Sequence, residues 1–158
     1  MGRSRRADQV TGAAHVLARL ARVLETACQE AELSLPQYRV LVFVHDRPER
    51  AGDVAAAASV SRPTLTALVD GLERQGMLRR TRVAGDGRGV RVELTPKGAD
   101  ALVRAEDAVR TRVDQLVHDA GAPAVIDGLL AVGEVLDQER AARQAERSST
   151  ANASHIRE

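Results

Sequence analysis

Residues 59–98 read SVSRPTLTALVDGLERQGMLRRTRVAGDGRGVRVELTPKG, and a change of period inside this stretch decides the fold. Leu65, Leu68, Val69 and Leu72 recur three and four residues apart, the spacing of one helical face. The spacing predicts a helix over Ser61 to Glu73. Ser61 is a suitable cap, Pro63 lies in the first turn where its missing N–H costs nothing, and Gly76 can take the left-handed conformation that closes the helix. The period then becomes two. Met77 to Val83 and Val90 to Leu94 read as strands, with Val90, Val92 and Leu94 on one face and Arg91 and Glu93 on the other. Between them the glycine-rich run Ala84-Gly85-Asp86-Gly87-Arg88-Gly89 forms a turn. Thr95-Pro96 then caps and opens another helix.

Working outward, Gly52 to Ala58 reads as a short helix of small residues, joined to Ser61 by the tight turn Ser59-Val60. Upstream of it, Leu35 to Asp46 is a predicted helix capped by Ser34, with Pro36 in its first turn and Arg47-Pro48 as its stop. Ala7 to about Leu33 forms a long first helix on the pattern Val10, Ala14, Leu17, Ala21, Leu24. Downstream, Pro96 to His118 and Pro123 to about Ala145 are helices separated by Gly121-Ala122-Pro123. Both carry more apolar surface on one face than a lone helix keeps in water, which leaves a seam for a partner chain. The predicted class is mainly α with a small β-hairpin, a winged helix-turn-helix with N- and C-terminal dimerisation helices. Its parts are residues 1–34 (N-terminal dimerisation helix), 35–95 (DNA-binding domain), 96–146 (C-terminal dimerisation helices) and 147–158 (a polar, disordered tail).

Composition narrows the function. The 158 residues carry a net charge of +1. That sum hides an uneven distribution: Pro36 to Gly98 holds 11 basic and 7 acidic residues, and the rest 12 basic and 15 acidic. A basic centre with acidic flanks suits a central module facing a polyanion. Lys97 is the only lysine; arginine fits phosphate recognition chemically, but a codon bias toward Arg accounts for the excess, so the choice of arginine alone proves nothing about phosphate binding. Tyr38 and Phe43 are the only aromatic residues, too few to stack unpaired bases, so a duplex is the expected nucleic acid. No apolar run reaches the roughly 18 residues of a membrane span, and no signal-peptide core follows Met1, so a cytoplasmic protein without membrane contact is expected.

A helix enters the DNA major groove and reads base edges from its outward N-terminal residues. Here these are Ser61, Arg62, Thr64 and Thr66; Arg62 can hold guanine bidentately and Pro63 can lean on a thymine methyl. Arg88 at the hairpin tip can reach an adjacent minor groove, braced by Asp86 across the turn. Arg79, Arg80, Arg82 and Arg91 on the hairpin are expected to contact phosphates. Arg3, Arg5 and Arg6 form a basic terminus, read as a solvated tail or a phosphate contact.

The stretches Leu35-Pro36-Gln37-Tyr38-Arg39-Val40-Leu41, Ser61 to Leu78, Asp86-Gly87-Arg88 and Leu94-Thr95-Pro96-Lys97-Gly98, with their spacing, resemble the MarR family (multiple antibiotic resistance regulators). The resemblance implies a homodimer bound to a pseudo-palindromic operator, usually as a repressor released by small anionic or lipophilic molecules or by oxidants. It maps the family's wing arginine onto Arg88 and its bracing aspartate onto Asp86. The family often has Asp-Arg-Arg in the wing; here Gly87 stands in the middle and Gly89 follows, which implies a looser wing.

The remaining chemistry-bearing residues are few. An effector pocket is expected from His15, Arg19, Arg22, Tyr38 and Phe43, an apolar cleft with cations that suits an aromatic carboxylate; the alternative places Phe43 in the core and the arginines in solvent. Cys28 is either a buried apolar residue or the switch of a redox-controlled regulator. His15, His45, His118 and His155 share no metal-ligand spacing, so no metal and no cofactor are expected. No catalytic arrangement is present, and the reading is of a non-enzyme. A helical interaction protein that has lost DNA binding is the alternative from another class, resting on the wing glycines.

Overall fold

The computed structural model describes residues 2–46, 62–82 and 90–155. The elements are α1 (Gly2–Glu30), α2 (Leu35–Asp46), α3 (Arg62–Arg74), β1 (Leu78–Arg82), β2 (Val90–Leu94), α4 (Pro96–Asp119) and α5 (Ala124–His155). The predicted short helix Gly52–Ala58, its turn, and the hairpin tip 84–89 lie outside the described residues.

Three helix ends close in the same way. After α1, α3 and α4 the chain turns on a residue with positive φ: Glu32 (60°), Gly76 (73°) and Gly121 (58°). At each, two backbone bonds consume carbonyls that the helix leaves without partners: Leu33 N to Cys28 O and Glu32 N to Gln29 O; Met77 N to Leu72 O and Gly76 N to Glu73 O; Ala122 N to Val117 O and Gly121 N to His118 O. This is the glycine closure of a helix C-terminus. Gly76 and Gly121 carry the signal in the sequence. Glu32 does not, because a side chain at positive φ is disfavoured.

Helix starts obey their capping residues. Ser34 caps α2 reciprocally with Gln37: Gln37 N donates to Ser34 Oγ (3.3 Å) and Ser34 N to Gln37 Oε1 (2.9 Å), a capping box. Glu25 reaches across from α1 to accept from Leu35 N at 3.2 Å. Thr95 caps α4 by accepting from Gly98 N, with Pro96 in the first turn.

The hairpin pairs antiparallel, Leu78 with Leu94, Arg80 with Val92 and Arg82 with Val90. The expected alternation holds: Val92 is buried and Arg91 exposed. One core joins α2 (Val40, Leu41, Phe43, Val44), α3 (Leu65, Val69, Leu72), the hairpin (Leu78, Val92) and the start of α4 (Ala101, Leu102, Ala105). α1 packs along α4 and against α2.

Away from this core the long helices are bare. Burial on α4 stops at Ala105. Val10, Val16 and Leu17 on α1 and Val125, Ile126, Leu129, Leu130, Val132, Val135 and Leu136 on α5 are exposed. Among the described residues no helix is long and apolar enough to cross a membrane.

Both chain ends differ from expectation. α1 begins at Gly2, so the basic terminus is helical rather than a trailing arm. α5 continues to His155 where a disordered tail from Arg147 was expected. Beyond Gly133 the sequence contains neither glycine nor proline, so nothing in it interrupts the helical hydrogen bonds, and Ala142, Ala145, Ala151 and Ala153 favour them.

Two substitutions test these closures. A Cβ on Gly98 would lie 2.0 Å from the Met77 carbonyl oxygen, so Gly98→Ala is expected to destabilise by about 1–3 kcal/mol, as overpacking does. Glu32→Gly removes an exposed side chain from positive φ and is expected to stabilise by about 0.5–1 kcal/mol. Urea unfolding of both variants measures the two signs; a neutral Gly98→Ala would mean that the α4 start moves freely.

Candidate nucleic-acid interface

α3 is sharply two-sided. Leu65, Val69 and Leu72 are buried against the core and Leu68 packs partly against it. Pro63, Thr64, Thr66, Ala67 and Arg74 are exposed on the other side. The apolar stripe thus fixes which face is offered outward. Of the expected base-reading residues, Pro63, Thr64 and Thr66 lie on that exposed face. Ser61 is outside the described residues, as is the side chain of Arg62.

The hairpin stands beside α3 and sorts its arginines by strand face. Arg79, Thr81, Arg91 and Glu93 share the outer face. There Arg79 pairs with Glu93, Nη2 to Oε2 at 2.9 Å and Nε to Oε2 at 3.1 Å, and Thr81 Oγ1 donates to Glu93 Oε1 at 3.2 Å. Arg79 keeps 65% of its side chain exposed and Arg91 is exposed, so both stay available to a phosphate. Asp86, Arg88 and the side chain of Arg82 fall outside the described residues.

Arg80 departs from the group. It points to the inner face, over the core, and its guanidinium bridges two carboxylates of α3: Nη2 to Asp70 Oδ1 and Nη1 to Glu73 Oε2, each at 2.5 Å. Its backbone N also donates to Glu73 Oε1 at 3.3 Å. The hydrogen bond to Asp70, ahead of the two charges, raises its already high pKa. The sequence reading placed Arg80 among the phosphate ligands; the structure commits it to α3. Asp70 and Glu73, three residues apart on one helix face, were the available signal.

A second weld joins the α3–β1 turn to α4. Thr95 Oγ1 donates to the Gly76 carbonyl at 2.7 Å, Thr95 N to Met77 O at 3.1 Å, and Lys97 Nζ to Gln75 O at 2.8 Å. Gly98 is what lets the backbones come so close. The run Leu94-Thr95-Pro96-Lys97-Gly98 therefore holds the hairpin base.

The five expected effector residues differ in exposure. His15, Arg19 and Arg22 are exposed on α1, whereas Tyr38 is half-buried and Phe43 buried in the core. An arginine absent from the sequence reading, Arg140 of α5, lies 4.3 Å above the Phe43 ring, a cation–π distance. A cavity of about 150 Å³ opens between α1 and α4, lined by Val23, Thr26, Ala27, Glu30 and Arg112. Among the described residues no group of His, Cys, Asp and Glu could hold a metal ion.

Cys28 is completely buried. Burial, reinforced by the Glu25 carboxylate, pushes its thiol above the ordinary 9.0; burial, then Glu106 and Cys28, raises the Tyr38 hydroxyl above 10.0. A sensing thiol needs the opposite, a lowered pKa and exposure. Both groups hold their protons longer folded than unfolded. Their contribution to stability is full below the unfolded values and is lost as pH rises through the folded ones. Stability is therefore expected to fall above about pH 9, and Cys28→Ala to flatten the first part of that fall; urea unfolding across this range checks it, and an unchanged profile would contradict it.

Residues 31–89 match the family model described as MarR family. Among solved structures the chain is similar to the transcriptional regulator BldR from Sulfolobus solfataricus (24% identity, TM-score 0.72, covering 87% of this chain and 99% of that one). It is also similar to the transcriptional repressor CouR bound to a 23-mer DNA duplex (27%, 0.70, 80% and 89%), and to NadR in complex with 4-hydroxyphenylacetate (21%, 0.68, 82% and 90%). The matched segment contains α2, α3 and β1 and ends just before β2, while the likeness in fold covers most of the chain. Over residues 31–89 the chain thus resembles the MarR family, and its fold is that of these transcription regulators.

Proposed function

We propose that the protein is a homodimeric repressor that binds a pseudo-palindromic operator and lets go when a small molecule binds. The observation that carries the DNA half is the two-sided α3: its apolar face is consumed by the core, so Pro63, Thr64, Thr66 and Ala67 are what it can offer. In this reading α3 lies in the major groove with Ser61, Arg62, Thr64 and Thr66 at base edges. Asp86 and Arg88 carry the wing into the minor groove, and Arg79, Arg82 and Arg91 meet phosphates. CouR, bound to duplex DNA, supports the same use of the fold.

The dimer rests on the bare helices. α5 exposes seven large apolar side chains and α1 three, while α5 reaches the module through Arg140 over Phe43. Burying such a side chain fully is worth about 1.5–3 kcal/mol, so a second copy covering these faces is strongly favoured. It would also set two α3 helices one turn of DNA apart. The effector is proposed to be a small aromatic carboxylate, by likeness to NadR with its 4-hydroxyphenylacetate. The region around Tyr38, Phe43 and Arg140, with His15, Arg19 and Arg22 on the neighbouring helix, is its proposed seat. The burial and raised pKa of Cys28 count against redox release.

Anisotropy titration with the duplex upstream of the chain's own gene tests the first half. Specific binding is expected, lost in Arg62→Ala and weakened in Arg88→Ala by about 1–3 kcal/mol; equal weak binding to any duplex by all three proteins would refute it. Light scattering tests the second: the wild type is expected to be a dimer, and Leu130→Glu on the α5 face to shift it to monomer.

A further inference from the structure

Among the described residues, Arg80 joins the hairpin to α3 through its side chain. Arg80 and Arg79 are neighbours in sequence with opposite fates. Arg79 faces out and keeps 65% of its side chain exposed; Arg80 faces in and keeps 35%. Arg80 pairs across the ladder with Val92, which is fully buried. Its guanidinium holds Asp70 with one terminal nitrogen and Glu73 with the other, and Glu73 closes the ring by accepting from Arg80 N. A planar guanidinium can hold two carboxylates at once in this fixed geometry; an ammonium could not do so with the same constraint.

We infer that Arg80 is a positioning residue for DNA recognition: it locks the hairpin to the C-terminal half of α3 and so fixes the wing relative to the recognition helix. This rests on the DNA-binding function proposed above and deepens it. A reader of two adjacent grooves must hold its two probes at a set spacing. If the hairpin swings, ordering it is a cost met at every binding event. The arrangement opposes direct phosphate binding by Arg80, because one guanidinium between two carboxylates leaves the trio with a net charge of −1. The trio instead masks two negative charges that α3 carries close to its DNA-facing side, Asp70 being 46% and Glu73 37% exposed.

The two roles predict opposite signs in one experiment. In Asp70→Asn/Glu73→Gln the protein gains two units of positive charge, which by charge alone tightens DNA binding. If Arg80 is a positioning residue, the same variant frees the hairpin and weakens specific binding. Fluorescence anisotropy is measured over a series of salt concentrations with the duplex upstream of the chain's own gene and a shuffled duplex of equal length and composition. Thermal melts report the folded fraction. The expected result is a loss of about tenfold in affinity for the specific duplex in Asp70→Asn/Glu73→Gln and in Arg80→Ala. Combining all three substitutions should cost no more than either, as for residues acting as a unit. The slope of log affinity against log salt should stay that of the wild type. The inference is overturned if the carboxamide variant binds as tightly as the wild type or more so. It is equally overturned if Arg80→Ala flattens the slope by about 0.9, the signature of a lost phosphate contact, or if the variants only melt earlier while their folded fraction binds normally. A wild type without preference for the specific duplex overturns the DNA-binding proposal itself, whereas a selective wild type with indifferent variants overturns only the role of Arg80.

Discussion

The contact between Gly98 and the Met77 carbonyl sets the geometry on which the rest depends. A methyl group there would sit 2.0 Å from the oxygen, so only glycine lets α4 begin against the α3–β1 turn. Once the backbones meet, Thr95 can cap α4 and bond the turn with one hydroxyl, and Lys97 can close over Gln75. The turn, the hairpin base and the start of α4 become one rigid corner. α3 is held through its buried Leu65, Val69 and Leu72 on one side of that corner, and β2 runs directly into Thr95 on the other.

From this corner the molecule divides into a packed half and an open half. The packed half is α2, α3, the hairpin and the first three turns of α4, where small and branched side chains fill a common core. Along the open half, α1 and α4 continue past the core and α5 stands largely clear. The division follows chain connectivity: helices of 29, 24 and 32 residues outrun a module whose hairpin strands have five residues each. Their apolar faces stay exposed on this chain. The packed module and the exposed apolar faces are thus separate regions of the chain that share α1 and α4.

Charge follows the same economy. The net charge of the chain is close to zero, yet its arginines have distinct assignments. Arg79 is steadied by Glu93 and stays in solvent; Arg80 is spent on Asp70 and Glu73; Arg140 covers Phe43. Counting basic residues on the hairpin therefore overstates those free to meet phosphate. The strand register is what separates Arg79 from Arg80, because neighbours on a strand face opposite ways.

The sequence by itself determined the type and order of the described elements and the outward face of α3. Apolar spacing of three and four against two, the Ser34 and Thr95 caps, and Gly76 and Gly121 at helix ends are local signals, and the bounds of α2 and β2 match them residue for residue. Local signals also misled where a break had to be inferred from polarity alone: Arg147 onward is polar but has no breaker, and α5 runs through it. The tertiary structure alone decided pairings that depend on distance across the chain. Glu25 reaching Leu35 N, Glu32 held at positive φ by the closure of α1, and Arg80 caught between Asp70 and Glu73 each join residues whose partners are fixed only when helices and strands pack. An arginine in a sequence is simply a cation with a long stem; whether it meets a phosphate or a carboxylate is settled by which face of a packed strand it occupies.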